Sequence, residues 1–469
     1  MGYTLNGAIT NDSTGKLALD LFAGIGSARN FPSHMTDLFS PVWEQSPALA
    51  LRILMWARDI RGGAGEREIF RRCVKVLAHK ESYAAQAALE AMITRGKFEE
   101  LGRWDDLLCL IDAQPDLCHI AAQHIKKALV RGDGLCAKWM PRKGPEAAKL
   151  RRLLKMTPRE YRKTLVSLTN VVEQKMCANE WSEIQYDKLT GMNVARYSRA
   201  FAEHDEVRWK EFLAKLKEGK AKAKTKVLFP HEVLRVLKSG ETELAETLWR
   251  ELADTLEGAQ NILPVIDTSG SMEQPVSGGI RAMDVAIALG IYAAERQEGA
   301  FKNLAVTFSE KPAFFNITKA GDTFAAKVAT VRRQNWGYNT DFQKVFDEIL
   351  RIAREENVRD EDMPEYVLVI SDMEFDAAKG GIPNTLTNFE TIKACFAAEG
   401  RKMPKLVFWN VAARVGNQPA TKDDYVSLIS GFSPSILTKV FKHKEVSPVE
   451  LMWEVVGVER YSLAGFTDQ

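Results

Sequence analysis

The chain of 469 residues exceeds the size at which one hydrophobic core usually keeps growing, so two domains are expected, and its 45% hydrophobic content excludes wholesale disorder. No apolar run approaches the roughly eighteen residues that a membrane-spanning helix needs. The formal charge of +2 conceals an asymmetry: residues 138–230 hold 22 Lys/Arg against 11 Asp/Glu, whereas residues 261–469 hold 23 against 28.

The six cysteines, at 73, 109, 118, 136, 177 and 395, include no Cys-x-x-Cys pair. The first residues lack a charged segment followed by an apolar core. A cytoplasmic protein with free thiols is expected.

In chain order, Leu19-Asp20-Leu-Phe22-Ala-Gly24-Ile-Gly26 matches the first motif of cytosine-C5 DNA methyltransferases, with a strand and a glycine turn. Those enzymes also need a nucleophilic cysteine after proline, and no cysteine here follows one, so the match is set aside. From about 37 to 255 the pattern is helical. Ser46 and Pro47 supply a cap and a first-turn proline. Further helical segments are predicted near 68–79, 84–94, 104–112, 118–130, 158–177, 194–202 and 231–253, separated by short turns, as in a stacked helical repeat.

Within this region Arg58-Asp-Ile-Arg61-Gly62-Gly63-Ala-Gly65-Glu66-Arg67 offers two readings. The glycines form a nest of backbone N–H groups for phosphate, with Arg58, Arg61 and Arg67 around it, or the segment is a tight turn with its arginines paired to Asp59, Glu66 and Glu68; the second is favoured. Asp105 and Asp106 sit in an apparent first helical turn, where capping explains them better than catalysis. Cys109, Cys118, His119, His124 and Cys136 have spacings that match no closed tetrahedral zinc set.

The basic stretch is the chemically richest helical part. Lys138, Trp139, Arg142, Lys143, Lys149, Arg151, Arg152, Lys155, Arg159, Arg162 and Lys163 combine cations with aromatics, among them Tyr161, a mixture that pairs with phosphates and stacks on bases. Lys215–Lys226 follows as a basic loop or frayed helix. The expected partner is RNA.

The C-terminal part alternates. Strand-like runs at 261–267, 303–309, 365–371 and 405–411 are separated by helix-like runs at 281–297, 341–356 and 386–399, which predicts a doubly wound parallel sheet with helices on both faces. A final helix is expected after the cap Ser447. Ile262-Leu-Pro-Val-Ile-Asp267-Thr-Ser269-Gly-Ser271 ends a strand in one carboxylate and two hydroxyls. Thr340 in a glycine-containing loop and Asp372 at another strand end complete an oxygen set suited to Mg²⁺ or another divalent cation.

Asp-x-Ser-x-Ser, a loop threonine and a strand-end aspartate resemble the metal-ion-dependent adhesion site of a von Willebrand factor A domain. A helical repeat domain followed by such a domain resembles the TROVE/Ro RNA-binding proteins, whose helical, HEAT-like repeats form a ring. A closer resemblance is to a plant, bacterial and viral family catalogued only as a domain of unknown function. It is carried by Asn6-Gly-Ala-Ile-Thr10, Arg58–Arg67, Gly102-Arg-Trp-Asp-Asp106, Ala137-Lys-Trp139, Trp181-Ser-Glu-Ile-Gln-Tyr186, Phe229-Pro-His-Glu232 and Ser371-Asp-Met-Glu-Phe-Asp376.

The TROVE resemblance implies binding of structured or misfolded RNA, single-stranded ends within the ring and helical RNA on its rim. The expectation is a noncatalytic RNA-binding protein with a helical domain over 1–258 and an A-like domain over 259–469. Its metal would be held by Asp267, Ser269, Ser271, Thr340 and Asp372, with an open position for a carboxylate from a protein ligand. The alternative is a metal-dependent interaction scaffold without nucleic acid; a weaker one is a hydrolase gathering two metals on Asp267, Asp372, Glu374 and Asp376.

Overall fold

The computed structural model describes the whole chain apart from residues 1, 5–6, 27–30, 222–223, 226–227, 257–258, 260, 278, 309–311, 335–341, 376–387, 413–417, 422–425, 443–446 and 467–469. A short antiparallel pair, β1 (Gly2–Tyr3) and β2 (Ile9–Thr10), precedes α1 (Leu17–Ile25), α2 (Pro32–Gln45), α3 (Pro47–Arg58), α4 (Arg67–His79) and α5 (Tyr83–Thr94). Next come α6 (Lys97–Leu101), a 3-10 turn over Trp104–Leu110, α7 (Pro115–Val130), α8 (Gly134–Trp139), α9 (Gly144–Leu153) and α10 (Pro158–Leu168). The helical part closes with α11 (Val172–Cys177), α12 (Gly191–His204), α13 (Glu206–Lys217), α14 (Pro230–Lys238) and α15 (Thr242–Arg250).

These helices start where the sequence supplies caps. Ser46 accepts from the Leu49 N–H at 3.3 Å, and Thr157 and Glu160 form a reciprocal capping box before α10. On α4 the buried Ile69, Phe70, Cys73, Val74 and Leu77 recur at helical spacing and face the core. Two segments predicted as single helices are each broken. The chain leaves helix at Thr169 between α10 and α11, and Gly240, at φ +93°, turns it between α14 and α15. The methyltransferase-like stretch at 19–26 is not a strand: it lies in α1, where Asp20 accepts from Ser13 Oγ at 2.5 Å and the Thr14 N–H at 2.7 Å.

The second part contains β3 (Ile262–Asp267), the small pair β4 (Pro275–Ser277) and β5 (Ile280–Arg281), α16 (Ala282–Arg296), β6 (Leu304–Phe308), β7 (Phe314–Asn316), α17 (Phe324–Arg332) and α18 (Phe342–Glu355). It continues with β8 (Tyr366–Ser371), α19 (Asn388–Ala398), β9 (Lys405–Asn410), β10 (Val426–Ser430), α20 (Leu437–Lys442) and α21 (Pro448–Val456). The six-stranded sheet has the order β10-β9-β8-β3-β6-β7, parallel throughout except for the antiparallel edge strand β7. From β3 the chain winds outward through β6 and β7, then returns to the other side of β3 and winds outward through β8, β9 and β10. The reversal falls between β3 and β8.

Strand residues alternate between two apolar cores. Leu263, Val265, Val306, Val367, Val369 and Phe408 face one that is completed by α18 and α19. Ile262, Ile266, Leu368, Ile370, Trp409 and Ile429 face the other, which continues without interruption through α16 into the helical part. Gly290 on α16 permits that packing: a Cβ there would lie 2.5 Å from Ile266 Cδ1. The connection around 258–259 separates helices from sheet along the chain, but packing crosses it. Thr4 Oγ1 donates to the Phe375 carbonyl at 2.6 Å. Gly26 sits so close to Ser430 that a Cβ would meet the Ser430 carbonyl carbon at 2.4 Å, and the Gly26 N–H donates to Ser430 Oγ at 3.0 Å.

Among the described residues no helix is long and apolar enough to cross a membrane. All six cysteines are free.

Candidate metal centre and nucleic-acid interface

The reversal between β3 and β8 places two strand ends side by side on the rim where doubly wound sheets form a crevice. Asp267 ends β3, and Asp372 follows Ser371 at the end of β8; both carboxylates are completely buried. The Asp267 carboxylate is held at both oxygens, by Ser371 Oγ at 2.5 Å and by the Ser269 N–H at 2.9 Å. The Met373 N–H in turn donates to Ser371 Oγ at 3.0 Å. Ser269 Oγ and Ser271 Oγ lie 3.0 Å apart. The Glu374 N–H donates to Asp372 Oδ1 at 3.2 Å, and Gln274 Nε2 reaches Asp372 Oδ2 and the Ala412 carbonyl, each at 3.4 Å.

Burial, and then the charge of Asp267 beside it, pushes the Asp372 carboxyl well above the ordinary carboxylate range, against the opposing hydrogen bonds from Ser271 and the Glu374 amide. Two like charges removed from water disfavour joint ionisation, and a cation between them reverses that preference. The donors are hard oxygens, two carboxylates and two serine hydroxyls, which fit a small divalent ion. The hydroxyl of Thr268, the residue after Asp267, is buried with no hydrogen-bond partner among the described residues. Among the described residues no group of three or more His, Cys, Asp and Glu side chains is placed to hold a metal. The first shell would therefore rest on hydroxyls and water as much as on acids. Thr340 lies outside the described residues, as does Asp376. Sequence reasoning missed Ser371 and Gln274, because the oxygen pattern directs attention to Asp372 and not to the residue before it.

The basic stretch divides between structure and surface. Arg58 is a correction: it is only 1% exposed, and its Nε donates to the completely buried Asp106 at 2.7 Å. Arg71 holds the other oxygen of Asp106 at 2.7 Å and pairs with Asp105 at 2.9 Å. The glycine stretch is a turn and not an anion nest. The Gly63, Ala64 and Glu66 N–H groups donate to the carbonyls of Asp59, Trp56 and Ala57, and a Cβ on Gly63 would lie 2.0 Å from the Trp56 carbonyl oxygen. Arg61 is exposed and donates to the Glu100 carbonyl; Arg67 is exposed. Two of the acids given to its arginines by the favoured turn reading pair elsewhere, Asp59 with Arg460, far along the chain, and Glu68 with Arg72. Asp106 does cap the following 3-10 turn, accepting from the Arg103 N–H at 3.0 Å.

Lys138 pairs with Glu173 at 3.4 Å, Lys149 pairs with Asp112, and Arg142 donates to Thr169 Oγ1 at 2.9 Å. Trp139 is half-buried, with the Arg103 guanidinium 3.9 Å and the Lys138 ammonium 5.5 Å from its ring centroid. The remaining cations, Lys143, Arg151, Arg152, Lys155, Arg159, Arg162 and Lys163, are exposed or, for Arg151, half-exposed, and none has an ion-pair partner among the described residues. They lie on α9, α10 and the connections beside them, where Lys155, at φ +55°, turns the chain.

Among the described residues the cysteine and histidine set forms no group placed to hold a metal. Cys109, Cys118 and Cys136 donate to the carbonyls of Asp106, Ile111 and Ile125, and His124 meets Glu99 at 2.8 Å while stacking on Trp104. Burial holds the Cys73 and Cys109 thiols up at about 12.

With this arrangement in view, the class of protein follows from the match of residues 4–114 and 112–262, more than half of the chain, to the family described as domain of unknown function (DUF2828). The chain belongs to that family. Residues 261–460 match a further one, domain of unknown function (DUF7788), so the two matches meet where helices give way to sheet. Uncharacterized protein L728 of Acanthamoeba polyphaga mimivirus is 27% identical over 519 aligned positions, covering 97% of this chain and 87% of the relative. Among solved structures, the Deinococcus radiodurans RO (RSR) protein is similar over 90% of this chain and 93% of its own, at 15% identity and a TM-score of 0.48.

Proposed function

We propose that this chain is a noncatalytic RNA-binding protein whose helical part grips structured or single-stranded RNA through the exposed cations of α9, α10 and the connections beside them. The observation that carries this reading is the set of seven Lys and Arg side chains between 143 and 163 that have no ion-pair partner among the described residues. Charges kept apart from acids retain their full attraction for a polyanion, and each phosphate they neutralise releases condensed counterions. Trp139 beside them adds a π face for stacking.

The sheet rim is read as a Mg²⁺ site of the von Willebrand factor A kind. Asp267 and Asp372 would supply charge, directly or through water, and Ser269, Ser271 and Thr340 would supply hydroxyl oxygens. What supports this is the pairing of two buried carboxylates at the sheet's reversal point, with serine hydroxyls alongside. The ion would supply a Lewis-acidic docking point for a carboxylate from a protein ligand.

The test is fluorescence anisotropy with single-stranded and hairpin RNA across a range of salt. Binding that weakens linearly on a log–log plot against salt is expected. No binding at low salt, or binding without a salt slope, would sink the RNA reading, and partners recovered without RNA and lost on Asp267→Ala would favour an interaction scaffold instead.

A further inference from the structure

A cavity of about 470 Å³ opens between α4, the 3-10 turn Trp104–Leu110 and the connection from α8 to α9, and Trp139 and Pro141 form part of its wall. The Trp139 indole is fixed in advance. The Arg103 guanidinium covers it at 3.9 Å from the centroid, and Asp105 holds that guanidinium through Nε and Nη2, each at 3.1 Å. An aromatic ring already immobilised loses little entropy when a second ring stacks on it.

The rest of the wall carries both signs of charge. Arg71 is held by Asp105 and Asp106, Arg72 by Glu68 and Asp112 by Lys149, which leaves Lys75 on α4 and Glu146 in the first turn of α9, both exposed and without an ion-pair partner among the described residues. A free carboxylate accepts hydrogen bonds from amino groups, which is how acidic side chains recognise the cytosine N4 amine, and a free ammonium on the same wall can donate to the acceptor atoms of the same base. The cavity also shares Pro141 and Glu146 with the segment that leads into the unpaired cations of α9 and α10.

We infer that this cavity takes one unpaired base carrying an exocyclic amino group, from a single-stranded RNA whose phosphates lie along α9 and α10. The inference rests on the RNA reading above and narrows it to strands with bases free to leave the stack.

Equal-length oligocytidine, oligouridine and a fully paired RNA duplex are titrated against the full chain and its variants at one low salt concentration. Cytidine and uridine differ at the amino group and its ring neighbour, so the native protein is expected to bind oligocytidine about tenfold more tightly. Trp139→Leu, which keeps the apolar bulk, is expected to weaken both single strands by about tenfold while leaving the duplex unchanged. Glu146→Ala, at an exposed position where folding is not at risk, is expected to erase the preference for cytidine. Equal binding of the two oligomers by the native protein, or single-strand affinity indifferent to Trp139→Leu in a variant that melts normally, would overturn the base site while duplex binding leaves the RNA reading standing. Failure of all three RNAs to bind would remove both.

Discussion

Asp59 and Arg460, 401 positions apart in sequence, form a two-pronged ion pair: Arg460 Nε donates to Asp59 Oδ2 at 2.6 Å and Nη2 to Oδ1 at 3.0 Å. Asp59 is completely buried at the end of α3, and the Tyr461 hydroxyl reaches the same carboxylate at 3.0 Å. Removing Arg460 leaves a buried carboxylate short of its main partner. Since Arg460 is itself about one-third exposed, the expected loss for Arg460→Ala is about 2 kcal/mol, below the usual figure for a fully buried pair. Urea denaturation measures it, and an unchanged midpoint would contradict the assignment.

The same pair makes stability depend on pH in a definite direction. Burial alone would raise the Asp59 carboxyl, but the hydrogen bonds and charge of Arg460, with the Arg61 N–H and Tyr461, outweigh it and hold the group below its ordinary value. A carboxylate depressed in the folded state stabilises above its unfolded pKa of about 3.9, and that contribution disappears as pH falls through the folded value. The stability gap between the native protein and Arg460→Ala is therefore full near neutrality and narrows below pH of about 4. A gap that persists in strong acid would show that Asp59 does not titrate as described.

Arg58 and the α10 cations should separate stability from binding. Arg58→Gln strips a buried donor from Asp106, which keeps Arg71, and should cost about 3 kcal/mol while the folded fraction binds RNA normally. Replacing Arg159, Arg162 and Lys163 together by alanine should leave the melting temperature within a degree or two and reduce the salt slope for single-stranded RNA by about 2, at about 0.7 per phosphate contact. The reverse pattern would exchange the roles given to the two groups.

At the sheet rim, Mg²⁺ at a hundredfold excess over its dissociation constant should stabilise the native fold by about 2.7 kcal/mol. Asp267→Ala should abolish the effect. Ser371→Ala should weaken it, because the 2.5 Å hydrogen bond from Ser371 fixes Asp267 Oδ2. Calorimetric titration of the three proteins gives the order of affinities, and Mg²⁺ binding equally well to Asp267→Ala would refute the site.

Gly290→Ala should destabilise by about 2 kcal/mol through overpacking against Ile266, whose Cδ1 lies 2.5 Å from the new methyl position. Thermal melts decide this, and a neutral result would mean that α16 can back away from β3.

The elements with strong local signatures could be read from the sequence. The apolar runs of β3, β6, β8 and β9 and the periodicity of α16, α18 and α19 announced a parallel sheet, because each buries faces that its own pattern specifies. Strand β10, with the motif Val426–Ser430, was not anticipated, since Ser427 and Ser430 interrupt its apolar run and its burial comes from α1 and α21. Helix α1 was hidden by a glycine pattern that imitates a strand and turn. At the rim, Asp267, Ser269, Ser271 and Asp372 could be named because their chemistry is local to two strand ends; Ser371 and Gln274 act through spatial neighbours. Arg58 misled for the same reason. A cation in a basic motif looks available until Asp106, 48 positions away, is seen to hold it.

The burial of α1 from two directions affects how the fold is built. Leu19, Leu21 and Phe22 are covered on one side by α2 and α3, with the Phe22 and Trp56 rings 4.5 Å apart, and on the other by β10 and α21, far along the chain. The first cover is local and costs little loop entropy, whereas the second closes a very long loop. Docking of 426–456 onto α1 is therefore a slow, late step of folding, and it joins the helical part to the sheet.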